Sequence, residues 1–328
     1  MDSVLVVGGT RFVGRATVEA FRDHGYDVTI CNRGNHPNPF ADEPDVTHVA
    51  ADRRVREDLE AARDRVDPDA VIDCVAYFPQ DVRVATEVFA DAGAYVYISS
   101  GAAYGVERVP KREDDTPLCD CTDEQATTEG AETYGPRKAE GDREVFAAAE
   151  RGVRAMSVRP PVVYGPHDYT ERFDYWIDRV DNHERVVVPG DGLSLWQLVY
   201  VEDVASALLT VAEEGAAGEA YNVGDDHAPT LSEWVALLAE ACDTTVERVG
   251  AGERELAKAD LDPEAFPLYR SSPHLLTTEK LRSLGWSATP HERALAATVR
   301  EHRESDRTGR SNGPDRATEE TLLELVSE

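Results

Sequence analysis

The sequence predicts an α/β fold, a doubly wound parallel sheet followed by a smaller C-terminal region. Two patterns carry that prediction. Short β-branched apolar runs alternate with amphipathic stretches through the first half of the chain, and a glycine-rich turn joins the first run to the first stretch at Gly8–Gly14. Length agrees with both: 328 residues can bury a sizeable core, as one large domain or two closely joined ones.

Runs at 4–7, 28–31, 46–50, 70–75 and 95–98 are bounded by Gly, Asp or Pro and read as strands buried on both faces. Between them, 14–24, 53–65 and 80–92 carry apolar residues at helical spacing with charges opposite. Val13, Ala16, Thr17, Ala20 and Phe21 form one such stripe, and Gly25 follows as a helix stop. Segment 106–132 is rich in Asp and Glu without a period and predicts a surface loop. A helix over 133–150 and a strand over 153–158 come next. Past Arg159-Pro160-Pro161 the pattern loosens into a short helix at 173–180 and a strand end with helix at 199–214. A strand at 219–223 and a helix at 232–241 follow. Beyond Glu304 the chain is polar and carries Gly309, Gly313 and Pro314, which predicts a mobile tail with a short amphipathic helix at 317–326.

The formal net charge is −30, and lysine stands only at positions 111, 138, 258 and 280, whereas arginine is abundant. An acid-rich, lysine-poor surface resembles that of proteins from salt-in halophiles, where dissolved salt screens self-repulsion. It argues against a nucleic-acid partner, which needs Lys and Arg gathered on one face. No apolar run reaches the roughly 20 residues that span a bilayer, and the first residues lack a signal-peptide pattern, so a cytoplasmic location with no membrane partner is expected. The five cysteines (Cys31, Cys74, Cys119, Cys121, Cys242) are odd in number and scattered, which argues against a disulfide framework. Cys119-Asp-Cys121 lacks a second Cys/His pair at zinc spacing, and no metal site is expected.

The glycine turn gives the first chemistry. Gly8 ends a strand and Gly14 lies within a helix, where only a hydrogen allows close helix–sheet packing. Between them, Thr10, Arg11, Phe12 and Val13 lead into a helix start whose N–H groups suit a dinucleotide pyrophosphate. The fold is thus of the Rossmann type, with a dinucleotide-binding domain over 1–160 to which 196–223 returns. Residues 161–195 and 224–302 form the substrate-binding region, and 303–328 the acidic tail. NAD enzymes place a carboxylate at the end of the second strand, but this chain has Ile30-Cys31-Asn32-Arg33. Arg33 suits a 2′-phosphate, with Arg11 nearby, so NADP is favoured over NAD.

Tyr134-Gly-Pro-Arg-Lys138 sets a phenol and an ammonium four residues apart, on one face of a helix. A phenol of ordinary pKa near 10 is too weak an acid for proton exchange at neutral pH, and a neighbouring cation lowers that value. Ser100, at the end of the fifth strand, can hydrogen-bond the reacting oxygen. A hydride cofactor beside such a set makes a redox site.

Gly8-Gly-Thr-Arg-Phe-Val-Gly14, Asp52, Ile98-Ser-Ser100, Tyr104-Gly105, Tyr134…Lys138, Arg159-Pro-Pro-Val-Val-Tyr164-Gly-Pro166, Val199-Tyr-Val-Glu-Asp203 and Leu284-Gly-Trp286 occur in this order. With them, residues 3–300 resemble the extended short-chain dehydrogenase/reductases, the NAD(P)-dependent epimerase/dehydratase group. The resemblance implies Ser100, Tyr134 and Lys138 as the catalytic set, Asp52 at the adenine, and Cys74, Val75 and Ala76 at the nicotinamide ribose. It also implies Pro160, Pro161 and Val162 beside the nicotinamide, and pairing of two copies through the Tyr/Lys helix and its neighbour into a homodimer. The departures inform as well. Arg11 replaces the middle glycine of the turn, as in an atypical branch that includes chloroplast stem-loop RNA-binding relatives. Gly101 and Ala102 stand where sugar-nucleotide 4,6-dehydratases carry Asp and Glu, which disfavours that elimination. Sugar-nucleotide epimerases place an Asn near Val162 and a diphosphate-binding Arg near Trp196, and these substitutions argue against a UDP-sugar.

The expected function is therefore hydride transfer at a hydroxyl or carbonyl of a sugar-like or other small substrate, as an NAD(P)-dependent oxidoreductase or epimerase. The alternative is a non-catalytic NADP-binding redox sensor or RNA-binding protein of the same fold. His167, Asp168, Arg172, Tyr175, Trp196 and Phe266 are candidates to line the substrate pocket, with packing or solvated surface as an equal reading of each.

Overall fold

The computed structural model describes residues 1–327. Through residue 159 the chain forms β1 (Ser3–Val7), α1 (Phe12–Asp23), β2 (Asp27–Asn32), β3 (Val46–Ala50), α2 (Arg56–Val66), β4 (Ala70–Asp73), α3 (Pro79–Val88), β5 (Ala94–Ile98), α4 (Asp123–Thr127), α5 (Ala131–Glu150) and β6 (Ala155–Arg159). It continues with β7 (Val162–Tyr164), α6 (Arg172–Asn182), β8 (Arg185–Pro189), β9 (Leu198–Tyr200), α7 (Val201–Glu214) and β10 (Ala220–Asn222). The remainder holds α8 (Leu231–Ala241), β11 (Glu247–Ala251), α9 (Glu253–Lys258), α10 (Glu279–Arg282), α11 (His291–Glu304) and α12 (Arg316–Ser327). Two compact units result. The first comprises Met1–Pro161, Val201–Gly224 and Leu276–Ser287; the second takes Val162–Tyr200, Asp225–Leu275 and the chain from Ala288 onward.

Seven strands of the first unit form one sheet in the order β3-β2-β1-β4-β5-β6-β10, with every pair parallel. This is the doubly wound Rossmann order with one strand added beyond β6. Val4 to Val7 are buried, as a strand covered on both faces requires. One face packs Leu5, Val7, Val71 and Tyr97 against Leu59 of α2, Val82 and Ala85 of α3, and Val145 of α5. The other face is covered by α1 and α7, which lie against each other. On α1, Phe12, Ala16, Thr17 and Phe21 point inward; full burial of a side chain like Phe21 contributes about 1.5–3 kcal/mol. The 106–132 segment is largely irregular, but it contains α4, capped reciprocally by Thr122 and Gln125.

The second unit holds two small parallel pairs, β7 with β9 and β8 with β11. Its core stacks Tyr164 on Phe173 at 4.7 Å and sets Trp234 edge-on to both. Past Glu304 the expected short helix is present as α12, but the segment is docked rather than a mobile tail: Glu319, Leu322 and Leu323 are buried. Glu319 accepts from the Val187 N–H at 2.9 Å and pairs with Arg179 and Arg316, each at 2.9 Å. Polar composition misled here because the burial is that of a compensated carboxylate rather than of apolar surface. Among the described residues no helix is long and apolar enough to cross a membrane.

Candidate active site

The turn from Gly8 to Arg11 is fixed at both ends. Gly8 N donates to the Cys31 carbonyl at 2.9 Å, and the Gly8 carbonyl accepts from Asn32 Nδ2 at 3.0 Å. A methyl group on Gly14 would stand 2.6 Å from the Gly9 nitrogen, so α1 rests on the turn with only a hydrogen between them. No side chain caps α1, and no acid stands in its first turn. The helix start thus turns the positive end of its dipole toward the glycine turn with no acid in its first turn, a cradle that fits a dinucleotide pyrophosphate. Thr10 and Val13 are half-buried, Arg11 is exposed at the N-cap, and Phe12 is buried in a left-handed conformation (φ 39°).

At the end of β2 the Asn32 side-chain oxygen, Oδ1, accepts from Gly34 N at 2.8 Å and lies 3.1 Å from His48 Nε2. Its side chain is committed to the local turn, while Arg33 is exposed. Asp52 sits after β3, half-buried, and its Oδ1 accepts from Arg54 N at 3.0 Å. Cys74, Val75 and Ala76 form the turn after β4, where burial pushes the Cys74 thiol up to about 12 and leaves it inert.

Lys138 is buried on α5. Its Nζ donates to the carbonyls of Ala76 at 3.0 Å and Ile98 at 2.7 Å, and lies 5.8 Å from the ring centre of Tyr134. Tyr97 contributes a further ring face at 4.7 Å. Burial, the largest effect, lowers the Lys138 pKa to about 8, against the opposing fields of Asp73 and Asp142. Ser100 caps the one-turn 3₁₀ helix Gly101–Ala103, accepting from Ala102 N at 3.2 Å. That turn touches α5: a methyl on Gly135 would lie 2.5 Å from the Ala102 carbonyl, and one on Gly141 would lie 2.6 Å from the Tyr97 hydroxyl. Both ends of the Tyr134–Lys138 stretch are thereby pressed onto β5 and the turn that follows it. Pro160 closes the arrangement, its carbonyl accepting from Gly101 N at 2.7 Å; Pro161 ends the first unit and Val162 opens β7 of the second.

Two buried ion pairs of the first unit went unseen in the sequence. Asp73 accepts from both terminal nitrogens of Arg53, at 3.0 and 2.9 Å, and from Tyr95 Oη at 2.9 Å. Asp142 accepts from Arg159 Nε at 2.8 Å, and Arg159 reaches Tyr104 Oη at 3.0 Å, which donates to Asn222 at 2.7 Å. The only available signal was a charge inside or at the end of an apolar run, Ile72-Asp73-Cys74 and Val158-Arg159.

The pocket candidates of the second unit divide. Tyr175 and Phe266 are core residues, each 1% exposed, with Tyr175 Oη donating to the Pro314 carbonyl and Phe266 stacked near Trp176. His167 pairs with Glu301, Asp168 accepts from the amide and hydroxyl of Thr170, and Arg172 donates to that hydroxyl. Trp196 is half-buried, with the Arg270 guanidinium 5.4 Å above its ring.

The model of the NAD dependent epimerase/dehydratase family matches residues 4–224, more than half of the chain. The chain belongs to that family. Among curated relatives, the chloroplast stem-loop binding protein of 41 kDa b of Arabidopsis thaliana is 25% identical over 303 residues, which is 86% of this chain and 74% of the relative. The dTDP-D-glucose 4,6-dehydratase of Mus musculus is 26% identical over 214 residues, 64% of this chain and 56% of the relative. In fold, the chain is similar to dTDP-glucose 4,6-dehydratase of Bacillus anthracis, solved with NAD (TM-score 0.72, 20% identity, 93% of this chain and 98% of that one). It is also similar to UDP-glucose 4-epimerase of Thermotoga maritima, solved with UDP-glucose (TM-score 0.71, 22% identity, 92% and 99%). Family membership supports an NAD-dependent oxidoreductase or epimerase role in general terms.

Proposed function

We propose that this chain is an NAD(P)-dependent oxidoreductase or epimerase that moves hydride at a hydroxyl or carbonyl carbon of a sugar-like or other small substrate. The observation that carries the reading is the buried Lys138 amine, hydrogen-bonded to two backbone carbonyls beside the Tyr134 ring. In this mechanism the Tyr134 phenol exchanges a proton with the substrate oxygen, and the cationic Lys138 favours the phenolate form. Ser100 Oγ orients the same oxygen. The turn from Gly8 to Gly14 holds the pyrophosphate, Asp52 the adenine, and Cys74, Val75, Ala76, Pro160, Pro161 and Val162 the nicotinamide end. A bound nicotinamide dinucleotide supplies the hydride acceptor or donor.

Finer choices follow from what stands near these groups. Arg33, exposed beyond a β2 terminus that lacks a carboxylate, favours the 2′-phosphorylated dinucleotide. Gly101 and Ala102 provide neither acid nor base beside Ser100, which favours epimerase or reductase chemistry over the 4,6-dehydration named for several relatives.

Titration with NADPH and NADH, followed by turnover on sugars, ketones and aldehydes in high salt, tests the reading. Arg33→Ala should weaken NADPH far more than NADH, and equal losses would refute the 2′-phosphate role. Binding of neither dinucleotide would sink the proposal. A second reading, a non-catalytic RNA-binding protein, draws on the name of the Arabidopsis relative. Tight, salt-sensitive RNA binding with no turnover would favour it, against the net charge of −30.

A further inference from the structure

We propose that Arg53 and Asp73 are positioning residues, a buried pair that fixes the turn after β4 so that the Ala76 carbonyl stands where Lys138 donates to it. The inference rests on the role given to Lys138 above. Asp73 ends β4, fully buried. One of its oxygens takes both Arg53 bonds and the Tyr95 hydroxyl, and the other accepts from Val75 N at 3.2 Å. Arg53 also donates to the Asp81 carbonyl at 2.8 Å. Asp81 turns its carboxylate back to accept from Tyr77 N and Phe78 N, each at 3.1 Å. From α5, Arg137 donates to the Tyr77 carbonyl at 2.8 Å and Lys138 to that of Ala76. Every residue from Val75 to Phe78 therefore has a backbone group gripped by a charged side chain. An ordinary connecting loop relies on solvent and short turns instead.

Stability alone gives a poor account of this arrangement. A buried ion pair typically does no better than apolar residues of similar volume, because desolvation consumes the Coulomb gain. What the pair supplies is a defined geometry. Arg53 follows Asp52 directly in the chain, so its bond to Asp73 ties the stretch assigned to the adenine to the stretch assigned to the nicotinamide ribose. Asp73 also adds a negative field at Lys138, alongside Asp142 and opposed by Arg137 and Arg53.

The chain's four lysines make the test direct. Lysine-selective labelling gives few NMR signals, and the Lys138 resonance, assigned by its loss in Lys138→Met, can be titrated without cofactor. The Arg53→Met/Asp73→Asn double variant removes both charges and leaves Asp81 held by the Tyr77 and Phe78 amides; Asp73→Asn alone leaves Arg53 with only the more distant Asp81, 3.9 Å away. In the folded double variant we expect the Lys138 midpoint to fall, since Asp73 weighs more at Lys138 than Arg53 does, and amide exchange at 75–78 to accelerate. Dinucleotide affinity should weaken about tenfold, as expected when a contact is displaced. An unchanged Lys138 midpoint with unchanged exchange at 75–78, in a double variant that keeps wild-type circular dichroism, overturns the inference. Should the double variant fail to fold, Arg53→Lys, which keeps the charge but loses the two-pronged grip, must still accelerate exchange at 75–78 or the inference falls. Failure of the wild-type protein to bind either dinucleotide counts against the proposed function instead, since neither the NMR titration nor the exchange measurement depends on it.

Discussion

Arg53 and Arg159 lie buried in the same unit as Lys138, yet the three cations are held in opposite ways. Each arginine meets a carboxylate, Asp73 or Asp142, at hydrogen-bond distance, and the pKa of each is raised although burial opposes it. Lys138 meets two carbonyl oxygens and, among the described residues, no carboxylate within ion-pair distance, and its pKa drops to about 8. A compensated arginine cannot change charge and serves geometry. An amine left without a counter-ion keeps its proton loosely and can influence a neighbouring phenol. The contrast separates two cations fixed by counter-ions from one poised to titrate, as the role proposed for Lys138 requires.

The largest expected effect is on turnover. Tyr134→Phe and Lys138→Met should each lower kcat/KM by about 10²–10⁴-fold, the usual worth of a proton-transfer group, with circular dichroism unchanged. Stability should show the reverse pattern. Arg159→Met leaves Asp142 buried and unpaired and is expected to cost about 3–5 kcal/mol in urea unfolding, most of it regained in Arg159→Met/Asp142→Asn. If Lys138→Met destabilised as much as Arg159→Met, the distinction between the two kinds of cation would fail.

Proton titration sharpens it further. The folded Lys138 pKa of about 8 lies below its ordinary 10.5, so between those values the unfolded chain holds the extra proton. Unfolding free energy should therefore rise with pH across that window, by about 3 kcal/mol from this group alone. The rise is read as the difference between wild type and Lys138→Met. Activity should move the other way, falling as pH climbs past about 8 and the cation is lost. The smallest effect is Tyr95→Phe, which removes one of the bonds to Asp73 and should cost about 0.5–1.5 kcal/mol.

The sheet and the glycine turn were legible because their signals are local: β-branched runs, a 3.6-residue stripe on α1, and Gly8 and Gly14 at fixed spacing. The nearness of Tyr134 to Lys138 was legible for the same reason, the two being one helical turn apart. Arg53 and Asp73 were not, since twenty positions separate them and nothing but a charge in an apolar run betrays a partner. The chain after Glu304 shows the matching failure. Its polar residues suggested disorder, but Glu319 finds Arg179 and Arg316 waiting. Tyr175 and Phe266 looked like pocket walls because aromatic residues serve equally well as filler.

Gly135 and Gly141 leave no clearance under the helix that bears the phenol and the amine. A heavier residue at Gly135 would meet the Ala102 carbonyl and one at Gly141 the Tyr97 ring, so the helix or the floor beneath it would have to shift. A library that randomises this helix should therefore hold Gly135 and Gly141 fixed.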